Sequence, residues 1–200
     1  IGSMLFDLLY WNFGFLRVGT GGLAAQAYGR GDRKECARIL ARAVGIALAC
    51  ALVLIAIQWI FVKAAFLVVD SSPEVQALAT KYFYIRIWAA PATLSLMALK
   101  GWFIGMQNSR IPMTIAIFEN ILNILLSLLF VYSFGMEIRG VALGTLLAQW
   151  GGLLLAIVLC WYNYGRMWSS AVWEGLWRCD RLAALFSVNR DIFLRTRCMI

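Results

Sequence analysis

Residues 112–135 form an apolar stretch long enough to cross a bilayer, since about 20 helical residues span a ~30 Å hydrocarbon core. Four polar side chains interrupt it, and at about 100° per residue they fall within an arc of roughly 100°: Glu119, Asn120, Asn123 and Ser127. A carboxylate is costly in lipid, so this side of the helix is expected to face protein or a cavity. The four residues are candidates for an ion or substrate site. The alternative is that they only hydrogen-bond neighbouring helices.

Similar apolar stretches fill most of the chain. Of its 200 residues, 62% are hydrophobic and 14% are charged, whereas a soluble domain is about half apolar. The pattern predicts an all-α fold, a polytopic membrane helix bundle with about five transmembrane helices. The predicted spans are residues 1–28, 44–62, 82–106, 112–134 and 140–164. A Trp-rich, basic stretch at 166–189 is predicted to be an amphipathic segment on the membrane surface.

Histidine is absent, and the five cysteines show no C-x-x-C or other metal-ligand spacing. This excludes His-based catalysis and His-containing zinc sites, and the cysteines are predicted to be free thiols. No nucleophile–base pair is evident, so we expect no enzyme, no metal and no cofactor. The net charge of +8 is concentrated in short loops, which favours a membrane topology over nucleic-acid binding.

Basic residues alternate between successive loops. Five lie in residues 29–42 and six in residues 166–200, against two in residues 63–81 and one in residues 135–139. Cytoplasmic loops carry the excess of Lys and Arg. The chain is therefore predicted to begin outside and to place residues 29–42 and 166–190 in the cytoplasm.

The third and fifth spans carry further packing signals. Pro91 is expected to kink the third span. Small residues four apart allow helices to approach closely, and two such pairs occur: Gly101 with Gly105, and Gly140 with Gly144. Gln149 lies within the fifth span, where an interhelical hydrogen bond and a role in a cavity are equally compatible with its position.

Several segments resemble, in the right order, the multidrug and toxic compound extrusion (MATE) transporters. Residues 15–32, FLRVGTGGLAAQAYGRGD, resemble the family's second helix and first cytoplasmic loop. Residues 101–112, GWFIGMQNSRIP, resemble the join of its fourth and fifth helices, and residues 120–149 resemble its fifth and sixth helices. Residues 189–196, NRDIFLRT, resemble the entry to the seventh helix in the DNA-damage-inducible protein F-like branch.

This resemblance implies a twelve-helix antiporter built from two six-helix lobes around a cavity. Residues 1–165 would be a partial N-terminal transmembrane lobe, 166–189 an amphipathic cytoplasmic linker, and 190–200 the start of the second lobe. The family's first helix, which carries an acid of the ion site, is expected to be missing. The chain is thus expected to be a fragment of a longer protein, and it would pack against the missing part of that protein. One turn after Asn123, where relatives often have Asp, stands Ser127, which leaves Glu119 as the nearest acid.

The predicted function is secondary active export of small organic cations or drugs in exchange for H⁺ or Na⁺. The resemblance implies that the protein is surrounded by membrane lipid, in a bacterial inner membrane. Its cavity-lining residues would be Glu119, Asn120, Asn123, Ser127 and Gln149. One alternative is a lipid-linked oligosaccharide flippase of the same superfamily, which should need several arginines for a pyrophosphate. Only Arg17 and Arg86 are expected near span interiors. The other alternative is a non-functional gene fragment.

The predicted topology can be tested by labelling single cysteines in intact cells. A cysteine introduced at Arg33, in a background without the native cysteines, should resist a membrane-impermeant thiol reagent until the cells are permeabilised. A cysteine at Lys81 serves as the external control and should label in intact cells. Ready labelling at position 33 in intact cells would contradict the topology.

Overall fold

The computed structural model describes residue 10, residues 13–68 and residues 73–167, and the apolar stretches of membrane-spanning length within these ranges are helical. The predicted linker 166–189 and the predicted start of a second lobe at 190–200 lie almost wholly outside the described residues. Six α-helices have their full bounds in this part: α1 (Gly14–Gly29), α2 (Arg33–Val68), α3 (Pro73–Arg86), α4 (Ala90–Gly105), α5 (Arg110–Leu128) and α6 (Glu137–Tyr164). No strand occurs in the described part, which confirms the all-α membrane bundle.

Four helical stretches are long and apolar enough to cross a membrane. They are Arg33–Trp59, Leu78–Gly105, Arg110–Ser133 and Ile138–Tyr164, and they match the second to fifth predicted spans. Helix α1 has 16 residues and begins at Gly14 after the N-cap Phe13, and residues 1–9, 11 and 12 of the first predicted span lie outside the described residues. The stretch that contains α5 ends in a π-helical turn, Leu129–Ser133, before the positive-φ residue Gly135.

Helix α2 begins at Arg33, within the basic segment 29–42 and ahead of the apolar span predicted from residue 44. The reason is local capping: Gly31 turns the chain with φ +73°, and the Asp32 carboxylate accepts the backbone N–H of Glu35 at 3.0 Å. A capping Asp with Glu three residues later is a helix-start signature. The basic segment is therefore a turn followed by the first turns of α2.

Two charged side chains of that segment are buried rather than solvated. Arg42 Nη1 donates to Glu35 Oε1 at 3.1 Å, and both residues are at most 5% exposed. Arg38 adds a second contact to the same carboxylate at 3.6 Å. The distribution of basic residues predicted that the start of α2 is basic. It did not predict that Glu35 and Arg42 are buried inside the bundle.

The third predicted span is interrupted directly before Pro91. The 3₁₀ turn Ile87–Ala89 joins α3 to α4, and Pro91 occupies the first turn of α4. Proline lacks an N–H and its ring crowds the carbonyl four residues earlier, so the α-helical ladder cannot continue through this point. The α-helix is thus interrupted directly before Pro91, where the sequence predicted a kink.

Helix α4 is the central element of the described bundle. It packs against α1 and α2, while α5 packs chiefly against α6. Most of its length is buried, including Trp102, whose indole N–H donates to the Cys36 carbonyl of α2 at 2.8 Å. Cys36, Cys50 and Cys160 form no disulfide in the described part of the chain, and Cys179 and Cys198 lie outside it.

Glycines set the distance between the paired helices. A Cβ on Gly101 would overlap the Arg17 carbonyl oxygen of α1, and a Cβ on Gly105 would lie 2.5 Å from the Gly21 carbonyl oxygen. Across the other pair, a Cβ on Gly144 would lie 2.6 Å from Ser127 Oγ. Both predicted small-x-x-x-small pairs therefore lie at helix crossings where the backbones approach closely.

Replacing Gly101 with alanine should weaken the α1–α4 crossing in the full-length protein. The added methyl group collides with backbone, which cannot rotate away, and overpacking of this kind costs about 1–3 kcal/mol. Thermal unfolding in detergent should show a lower Tm. The matched control is Gly22→Ala, because Gly22 lies on α1 with nothing within 4 Å. Equal Tm values for the two variants would contradict the packing argument.

Candidate ion and substrate site

Glu119 is the one carboxylate that the described residues bury in the middle of a span. It lies about 13 Å along α5 from Arg110, at 1.5 Å per residue, and is 9% exposed. Its Oε2 accepts from Lys100 Nζ of α4 at 2.6 Å. The acid predicted as a site residue is therefore buried and ion-paired between two spans.

Lys100 is a site residue that the sequence patterns did not single out. The interior cations expected from the sequence were Arg17 and Arg86, and the structure adds Lys100 to them. The signal was present, because Lys100 stands inside the predicted third span with apolar neighbours on both sides. An intramembrane ionisable residue is by default a candidate site residue, and a second one of opposite sign in the next span is its natural partner.

Helix α6 makes room for the carboxylate. A Cβ on Gly152 would overlap the side chain of Glu119 and would lie 2.5 Å from its Oε1. This Oε1 is buried and has no hydrogen-bond partner among the described residues. One carboxylate oxygen thus carries the ion pair, while the other faces the α6 backbone with its acceptor capacity unused.

Asn123 and Ser127 continue the same face of α5 toward α6. The Asn123 amide donates to Thr145 Oγ1 at 2.9 Å, and Thr145 in turn donates to the Val141 carbonyl of its own helix. Ser127 Oγ is buried against Gly144 and has no partner in the described part of the chain. Both residues lie at the α5–α6 contact.

Asn120 is separated from the other three polar residues of the stretch. It is exposed, and its amide donates to the Ala116 carbonyl one turn earlier in the same helix, at 2.9 Å. Although the sequence places it within the same arc, it lies at the edge of that arc, about 100° from Glu119. It contributes no contact to the Lys100–Glu119 pair.

Gln149 joins α6 to α4 rather than to α5. Thr93 Oγ1 donates to Gln149 Oε1 at 3.4 Å, and the indole of the next residue, Trp150, donates to the Trp88 carbonyl at 3.2 Å. The interhelical hydrogen bond considered for Gln149 is thus present. The structure brings Glu119, Asn123 and Ser127 to one interface, and leaves Asn120 and Gln149 elsewhere.

The two interior arginines do not join this site. Arg86 donates to the Tyr82 hydroxyl at 2.7 Å and lies 5.6 Å from the centre of its ring. Arg17 is exposed on α1. No group of three or more His, Cys, Asp or Glu side chains that could hold a metal ion occurs in the described ranges. A carboxylate facing a single ammonium can instead exchange this partner for a proton or a small monovalent cation.

Comparison with known proteins gives the family. The MatE family profile matches residues 1–129. The chain is 35% identical over 200 residues to DNA damage-inducible protein F of Escherichia coli K12, covering 97% of this chain and 41% of that protein. It is 27% identical over 138 residues to the probable multidrug resistance protein NorM of Rhizobium meliloti 1021, which covers 68% of this chain and 29% of the relative.

Solved structures show the same fold. A multidrug resistance MATE family transporter of the MOP superfamily in an inward-facing conformation superposes with a TM-score of 0.79 at 18% identity, over 94% of this chain and 44% of that one. An outward-facing structure gives a TM-score of 0.72 over 82% of this chain and 37% of the other. The chain therefore spans less than half the length of these relatives. From the profile match, the burial pattern and the four membrane-length helices, the chain belongs to the MATE family of multi-pass membrane transporters.

Proposed function

We propose that the chain forms part of a secondary active antiporter that exports small organic cations or drugs in exchange for H⁺ or Na⁺. The observation that carries the proposal is the buried Glu119, held inside the membrane-spanning region between α4, α5 and α6. Burying a charge is expensive, and intramembrane carboxylates mark ion or proton pathways. The relatives described as multidrug resistance proteins supply the substrate class by analogy.

In this proposal Glu119 is the residue that binds and releases the coupling ion. Glu119 lies about 13 Å along α5. The predicted topology places the start of α5, at Arg110, on the cytoplasmic side, so an inward-open cavity could hydrate this carboxylate. Asn120 and Asn123, one turn or less further along, would line the central part of this cavity near the midplane, where transporter sites tend to lie. Rocking of one helix lobe against the other would then expose the site to alternate sides.

The hydrogen bonds of Asn123 and Gln149 support a positioning role for these amides. Both bind a threonine hydroxyl of a neighbouring helix, Thr145 and Thr93 respectively. Polar side chains that join spans hold a cavity wall in a defined geometry. Ser127, whose hydroxyl is buried without a described partner, occupies the place where relatives often carry an acid.

The flippase alternative gains no support from the same observations. It needs arginines gathered around a pyrophosphate, but Arg86 binds Tyr82 and Arg17 lies exposed on α1. The relatives named for comparison are described in terms of multidrug resistance or DNA damage induction.

Glu119→Gln tests the role of the carboxylate in the full-length protein. The amide keeps the shape of the side chain but can neither take up a proton nor neutralise a cation, so ion-driven efflux should be lost or should lose its pH dependence. Transport is measured in proteoliposomes with an imposed H⁺ or Na⁺ gradient, at matched expression. Glu119→Asp is the control that retains charge. An unchanged pH and Na⁺ profile in Glu119→Gln would contradict the proposed function.

Ser127→Asp tests whether the family's second acid position can be restored. A carboxylate at this position, about two turns from Glu119 on the same face, should strengthen coupling to the driving cation. Because the site is crowded by Gly144, any added bulk carries a packing cost. Ser127→Asn has the same bulk without charge and isolates that cost. Equal ion dependence in the two variants would show that position 127 does not contribute to the ion site.

A further inference from the structure

We infer that Lys100 is a tethered cation that occupies Glu119 between transport steps and competes with the coupling ion for its carboxylate. The inference rests on the proposed function and specifies how the ion site is controlled. Lys100 Nζ and Glu119 Oε2 are 2.6 Å apart, and the two side chains are 21% and 11% exposed. Two opposite charges this close and this poorly hydrated neutralise one another.

One oxygen of the Glu119 carboxylate has an unused acceptor capacity. Oε1 of Glu119 is buried and accepts no hydrogen bond from any described residue, while Oε2 is engaged by Lys100. A buried acceptor without a partner costs free energy, so the ion pair in this arrangement is incompletely satisfied. A proton on Oε1, or a Na⁺ ion bound in place of the ammonium, would neutralise the carboxylate and weaken its hold on Lys100.

Lys100 supplies the counter-charge of Glu119 within the described part of the chain. On the α6 side Glu119 lies against Gly152, which has no side chain, and on the α4 side its Oε2 accepts from Lys100. Of the charged residues that the structure describes, none besides Lys100 forms an ion pair with Glu119. When a proton or Na⁺ neutralises the carboxylate, the ammonium of Lys100 is therefore left uncompensated beside the site.

In this proposal the Glu119 carboxylate holds either the Lys100 ammonium or the coupling ion, but not both. With Lys100 paired to Glu119 the site is neutral, whereas after uptake of H⁺ or Na⁺ it carries one net positive charge. A positive charge in a poorly hydrated cavity repels an organic cation strongly, because the low effective dielectric constant screens the two charges little. Ion uptake would thus favour release of a cationic substrate, which is the coupling that an antiporter requires.

The same contact joins two helices that otherwise touch little. Lys100 belongs to α4, which packs against α1, α2 and, less extensively, α6, whereas Glu119 belongs to α5, which packs chiefly against α6. Helices α4 and α5 make little direct contact otherwise. Breaking the ion pair would therefore loosen the α4–α5 contact at the same moment as it changes the charge of the site.

The test measures ion binding by the full-length protein in detergent, with Na⁺ and protons as the probes. Thermal unfolding is followed against NaCl at fixed pH, with N-methylglucamine chloride balancing ionic strength, and against pH in Na⁺-free buffer. If Lys100 competes with the ion, Lys100→Met should bind the coupling ion at least about tenfold more tightly, because the ion no longer has to displace an ammonium from the carboxylate. Lys100→Arg, which keeps the charge, should stay closer to the wild type.

Two controls separate competition from a purely structural ion pair. Lys81→Met removes the same charge from an exposed position on α3 and should leave ion binding unchanged. A structural pair would lower Tm in Lys100→Met by the same amount at every Na⁺ concentration and pH, without a shift in ion affinity, and that result would overturn the inference. An ion response that persists in Glu119→Gln would instead refute the proposed function itself. A response lost in Glu119→Gln but unaltered in Lys100→Met would refute only the role of Lys100.

Discussion

Close backbone approach at glycines is the constraint on which the rest of this structure depends. In hydrocarbon there is no hydrophobic gain from bringing two apolar helices together, so association relies on van der Waals contact and interhelical polar bonds. Gly101 and Gly105 bring α4 against α1, and Gly144 and Gly152 bring α6 against α5. The second crossing also determines the site, because only a residue without a side chain at 152 leaves space for the Glu119 carboxyl group.

Polar residues in the spans are used in two different ways. Asn123 with Thr145, and Gln149 with Thr93, form neutral interhelical hydrogen bonds that position helices. Lys100 with Glu119 is a charged pair, and a buried charged pair is a weak contribution to stability because desolvation offsets much of the attraction. A pair that adds little net stability but can exchange one partner for an ion is better suited to a functional site than to packing. The buried Glu35–Arg42 pair of α2 differs, because both its residues share one helix and a third cation, Arg38, contacts the same acid.

The prediction of spans was accurate where it rested on the interior of apolar stretches and less so at their ends. Apolar length predicted the second to fifth spans, since about 20 residues must cross the hydrocarbon core in any bilayer-spanning helix. Helix α2 extends beyond its apolar span, because hydropathy reports the bilayer and not the backbone. The Asp32 cap starts the helix before the apolar region begins. The interruption beside Pro91 was predictable because it follows from the covalent structure of one residue.

The sequence by itself determined the class of this protein and the identity of its polar intramembrane residues, since length, hydropathy and charge distribution are local properties. It could not determine which of these residues meet. Helical periodicity put Glu119, Asn120, Asn123 and Ser127 within one arc, and only the packing of α6 separated three interface residues from the exposed Asn120. The partner of Glu119 lies 19 positions away on another helix, and this pairing depends on the crossing angle and depth of α4 and α5. Such contacts are decided by tertiary structure because they depend on the relative placement of two helices, which no local pattern encodes.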